Sequence, residues 1–76
     1  MDNAYKIIFM WDEEAHVWIA TSEDVRGLVL EDESFDALVR EVQLAVPTLL
    51  QFNNESHDDI TLDFIAHRQE RLARSG

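Results

Sequence analysis

Residues 34–53 read SFDALVREVQLAVPTLLQFN, and this stretch decides the fold because it alone is long and periodic enough to commit to a helix. On a wheel of 100° per residue, Phe35, Leu38, Val39, Val42, Ala45, Val46, Leu49 and Leu50 share one arc of roughly 140°, a core-facing stripe. The opposite side carries Asp36, Arg40, Glu41, Gln43 and Gln51, together with one misfit, Leu44. Ser34 is the expected N-cap, with Asp32 and Glu33 before it favouring the positive end of the helix dipole. Pro47 removes one backbone hydrogen bond to Gln43, yet the stripe continues in phase through Leu49 and Leu50, which predicts one kinked helix about 30 Å long.

The rest of the chain reads as short strands and turns. Residues 5–11 (YKIIFMW) and 16–21 (HVWIAT) are rich in β-branched and aromatic side chains and predict an antiparallel hairpin across the polar 12–15 turn. Residues 22–27 form a second turn, with Gly27 available for a positive φ, and residues 28–31 a third, short strand. After the helix, 53–59 is polar throughout and reads as a loop. Residues 60–65 then alternate Ile60, Leu62 and Phe64 against Thr61 and Asp63, as a half-buried strand does. From Ala66 onward the residues favour helix but carry no apolar stripe, so a frayed tail is expected. The expected organisation is one domain over residues 1–67 and a basic tail over 68–76, in the α+β class with the long helix on one face of a sheet.

One helix covers one face. The first strand is nevertheless apolar on both sides, with Tyr5, Ile7, Phe9 and Trp11 one way and Ile8 and Met10 the other, and the second strand sets Trp18 and Ala20 against Val17 and Ile19. Two-sided apolarity belongs to sheets buried on both faces, and 76 residues are too few to cover the second face from within. A chain of this size buries only roughly 60% of the surface its unfolded form exposes. A second copy or a different protein is therefore expected to cover that face. Trp11, Trp18 and Leu44 are the candidate surface residues, although rim aromatics and single exposed leucines also occur without any such role.

Charge narrows the partner. The net charge is −10, and up to residue 67 only Lys6, Arg26 and Arg40 stand against every carboxylate but Glu70. An acidic body repels phosphate backbones and attracts basic proteins, and it also serves solubility alone. The tail reverses the sign with Arg68, Arg71 and Arg74. There is no cysteine, hence no disulfide and no thiolate metal site, and the apolar run in the first strand is too short for a membrane span or signal peptide. A cytoplasmic location is the default.

Catalytic patterns are sparse. His57, Asp58 and Asp59 place three possible ligands side by side, a spacing that rarely converges on one ion. His16 and His67 have no partner pattern, and two glycines cannot build a phosphate loop. The strand order is similar to a reduced ribonuclease-H-like sheet, for which Asp12, Glu41 and Asp63 would have to meet around metal ions about 3.5–4 Å apart. Asp12 follows its strand and Glu41 lies on the polar helical side, so neither an enzyme nor a cofactor is expected.

Several motifs carry a family resemblance. Tyr5-Lys6-Ile7, Trp11-Asp12-Glu13-Glu14, Val17-Trp18-Ile19-Ala20-Thr21-Ser22, Gly27-Leu28-Val29-Leu30-Glu31 and the in-helix Leu44-Ala45-Val46-Pro47 resemble the small bacterial proteins grouped with the HicB antitoxins, over residues 5–65. The resemblance implies a β-β-β-α-β fold, a degenerate ribonuclease-H-like sheet without catalysis in which the last strand lies beside the first. It also implies a dimer and, in true antitoxins of type II toxin–antitoxin pairs, a small basic ribonuclease toxin, HicA, as partner. Arg26 stands where many relatives have proline, and no C-terminal DNA-binding domain follows before Gly76, so nucleic-acid binding is not expected. The alternative is a stand-alone structural or regulatory homodimer without a toxin.

Overall fold

Five elements follow in the order β1 (Ala4–Asp12), β2 (Val17–Thr21), β3 (Val29–Asp32), α1 (Phe35–Phe52) and β4 (Thr61–His67) in the computed structural model, which describes residues 4–55 and 59–73. The sheet order is β3-β2-β1-β4. β1 pairs antiparallel with β2, β2 antiparallel with β3, and β4 lies parallel to β1, reached by the helical crossover that a parallel neighbour requires. The α+β architecture, the single helix and the last strand beside the first are as expected.

Local chemistry explains the boundaries. The hairpin closes where Asp12 Oδ1 accepts from the backbone N–H groups of Glu14 and Ala15, His16 N–H donates to the Asp12 carbonyl at 2.8 Å, and His16 takes a positive φ of 57°. The second turn is stitched to β1: Ser22 Oγ donates to the Lys6 carbonyl at 2.6 Å, and Lys6 N–H donates to Asp24 at 2.8 Å. Gly27 takes a φ of 90° there. Ser34 caps the helix by accepting from Ala37 N–H, and α1 runs unbroken through Pro47. Pro47 and Gln43 are both exposed, so the carbonyl that loses its partner faces water.

The register sorts the side chains into two faces. Phe9 lies opposite Ala20, Ala20 opposite Leu30, Trp11 opposite Trp18, and Ile7 beside Phe64, so these residues share the helix side. Tyr5, Ile7, Phe9 and Ala20 are buried there with Leu38, Val42, Val46 and Leu50 of α1 and with Val25 and Leu28 of the second turn. The helix runs closest to β3 and β2, not along the middle of the sheet.

Two expectations are corrected. The last strand is Thr61–His67 and not 60–65, and residues 68–73 beyond it form neither helix nor strand. Because β1 continues to Asp12, its edge offers partners to Ala66 and His67, which lie beside Phe9 and Met10, whereas a helix here would have no apolar stripe to bury. Glu41, expected to face away from the packed side, is half-buried at the flank of the helix. Among the described residues no helix is long and apolar enough to cross a membrane.

Candidate functional site

The uncovered sheet face carries Ile8, Met10, Val17, Ile19 and Ile65, with Val29 at its β3 edge. Met10 is 49% exposed, Ile65 40% and Val29 70%, values that no second layer of this chain lowers. Carboxylates ring this apolar area: Asp12, Glu13 and Glu14 at the hairpin end, Asp63 on β4 and Glu31 on β3. Met10, Trp11, Ile19 and Thr21 line a shallow depression of about 380 Å³ together with the hairpin carboxylates.

The two tryptophans lie on the other side of the sheet. Trp11 and Trp18 pair across the hairpin with ring centroids 5.6 Å apart, and Trp18 stands 5.0 Å from Phe35, which in turn stands 5.0 Å from Phe9. Trp18 is thereby packed against the core, while half-buried Trp11 donates its indole N–H to Glu13 and lies under the Arg68 guanidinium, 4.3 Å from the ring centroid. They form an aromatic rim at the start of the helix, and Trp11 also lines the depression at the hairpin end.

Leu44 is 77% exposed. Its neighbours are neither Phe52 nor Ala37 but the residues of a groove of about 460 Å³ between α1 and the β3 edge, among them Val29, Leu30, Glu41, Ala45 and Thr48. At one end of it stand Asp32 and Glu41. The two side chains share a hydrogen bond, which holds Glu41 above the ordinary glutamate range and Asp32 below the ordinary aspartate range, the latter helped by the Ser34 N–H at 2.8 Å. This pair escapes sequence reading because it joins positions nine apart through the strand-to-helix turn. The one available signal was Asp32 next to the N-cap, on the face where Glu41 returns after two turns.

The carboxylates considered for metal chemistry are not brought together. Asp12 and Asp63 lie on the uncovered face, beyond Met10 and beside Lys6 respectively, and Glu41 lies on the helix side. Among the described residues no three His, Asp or Glu side chains are placed to hold a metal ion; His57 and Asp58 lie outside the described residues.

A family profile described as a domain of unknown function, DUF1902, matches residues 4–74. The chain belongs to the DUF1902 family. The match includes β1 through β4 and runs on past His67, into the stretch read from sequence as a tail. A crystal structure of hypothetical protein TTHA1013 from the extremely thermophilic bacterium Thermus thermophilus is similar, with 30% sequence identity, a TM-score of 0.71, and coverage of 93% of this chain and 99% of that one. The similarity extends over nearly the whole length of both chains. No functionally curated protein matches the chain.

Proposed function

We propose that this DUF1902 chain is a non-enzymatic protein-binding module related to the HicB antitoxins, and that it neutralises a small basic ribonuclease toxin. The observation that carries the reading is the uncovered apolar sheet face within a ring of carboxylates on a chain of net charge −10. Apolar area supplies a reason to be covered, and the acidic rim selects a basic partner and speeds the encounter. The motif resemblance to HicB proteins supplies the class of that partner. Co-expression with the neighbouring small basic reading frame tests it: the neighbour arrests growth alone and is rescued by this chain. A neighbour that is harmless alone, or toxic and not rescued, ends the antitoxin reading.

A second reading, a regulatory homodimer without a toxin, is favoured by β4. This seven-residue edge strand leaves Phe64 and Ile65, on opposite faces, 37% and 40% exposed, and carries neither lysine nor proline to discourage pairing. Sedimentation at tens of micromolar separates the two: a dimer that Ile65→Asp converts to a monomer supports the homodimer, and a monomeric wild type removes it.

A further inference from the structure

The groove beside β3 has the form of a sheet position left empty. α1 runs closest to β3 and β2, and its outer flank lines the groove along the β3 edge. That flank is made by Glu41, Leu44, Ala45 and Thr48, a second stripe at i, i+3, i+4 and i+7 beside the buried one. Below it β3 ends the sheet, with backbone N–H and C=O groups on its outer side and, among the described residues, no neighbouring strand. Two large apolar side chains flank this edge and are left in water, Leu44 on the helix side and Val29 on the opposite sheet face. A fifth strand alongside β3 would lie under this stripe and cover both.

Charge selects what that strand is. Glu41 lines the groove with Asp32 beside it, Glu31 and Glu33 flank Asp32 in the chain, and among the described residues none of the four makes an ion pair. The hydrogen bond between Asp32 and Glu41 holds Glu41 above and Asp32 below their ordinary ranges, so the two carboxylates stand close together. A second copy would bring another chain of net charge −10 to the same seam, with no basic residue on β3 or on the 41–48 stripe to meet these carboxylates. A strand with lysine or arginine beside its apolar residues meets opposite charge instead.

We propose that the α1–β3 groove is a strand-addition site, which takes an extended segment of a basic partner protein by pairing it with β3 and seating its apolar side chains against Leu44. This site is distinct from the uncovered sheet face and stands whether or not the partner is a toxin.

The test uses the full chain and three acetylated, amidated octapeptides: alternating valine and lysine, the same peptide with alternate backbone amides N-methylated, and alternating valine and glutamate. In ¹⁵N-detected titrations to 1 mM, the valine–lysine peptide is expected to shift the amides of Val29 to Asp32 and protect them from exchange, with the other two peptides at least tenfold weaker. Leu44→Asp, on the exposed flank, is expected to weaken binding at least tenfold although it adds negative charge. Attraction to acidity in general would strengthen binding in that variant, so unchanged or tighter binding overturns the proposal. So does equal binding of the N-methylated peptide, no binding of any peptide, shifts confined to residues 13–14 and 63 with β3 unmoved, or self-association of the wild type that Leu44→Asp abolishes. The co-expression result is independent of all these outcomes, so the two readings fail separately.

Discussion

At the scale of single residues, the two leucines of α1 make the clearest contrast. Leu38 is fully buried and Leu44 is 77% exposed on the same helix. Leu38→Ala is expected to cost about 2–5 kcal/mol, from lost transfer energy and the cavity left behind, whereas Leu44→Ala should change stability by less than about 0.5 kcal/mol. Urea denaturation of both variants measures this, and a large loss at Leu44 would mean that the free chain already packs it. Glu41 gives a prediction in pH. Its folded-state pKa is raised through the hydrogen bond with Asp32, so the stability it contributes is complete below the ordinary glutamate pKa and is lost as pH rises through the raised value. Asp32 is lowered, so its contribution is present above the ordinary aspartate pKa and disappears only as pH falls through its depressed value. Between the two the pair holds one proton. Glu41→Gln keeps a hydrogen-bond donor toward Asp32 and removes the titration, so its urea midpoint should stay flat over the window just above the ordinary glutamate pKa, where the wild type falls.

At the scale of elements, Pro47 is the test of how a helix tolerates a fault. Proline inside a helix is about 3 kcal/mol worse than alanine, and its restriction of the unfolded chain returns about 0.4–1 kcal/mol. Pro47→Ala is therefore expected to raise stability by about 2 kcal/mol in urea denaturation, because the freed Gln43 carbonyl regains a donor and the buried Val46 and Leu50 on either side need not move. A fall would show that Pro47 itself sets the packing of Leu49 and Leu50. The helix itself was legible for a physical reason: its stripe remained in phase across the proline, and both Ser34 and Asn53 stand at its caps. The strands were legible from β-branched and aromatic runs between polar turns. β4 runs two residues past its alternating pattern because Ala66 and His67, with little strand preference of their own, are strands through their pairing with Phe9 and Met10. Of the candidate site, Leu44 was legible as a misfit on the wheel. For the tryptophans, strand alternation says which side chains share a face but not which face the helix takes. The Asp32–Glu41 pair and the groove between α1 and β3 depend on where the helix lies over the sheet, which no local pattern encodes.

At the scale of the whole molecule, charge acts on folding and on association with opposite signs. A net charge of −10 on 76 residues, with Arg68–Glu70 the one ion pair among the described residues, means that carboxylates across the surface repel one another with little local compensation. Self-repulsion of this kind weakens the compact state, and salt screens it over roughly 10 Å at 0.1 M. The thermal midpoint is therefore expected to rise between 20 mM and 500 mM NaCl. A gain of about 1 kcal/mol in a domain this small corresponds to about 4–8 °C. Association with a basic partner should respond the other way, because salt screens the attraction that steers the encounter, so its association rate falls over the same range. Buried apolar contact on the uncovered face, at Met10 and Ile65, is expected to act mainly on dissociation and to depend little on salt. Scanning calorimetry of the free chain across the salt series checks the first sign, and a midpoint that stays level or falls would mean that the carboxylates are already compensated within the fold. In that case the acidity would supply no drive toward a basic partner, and the apolar face alone would have to account for binding.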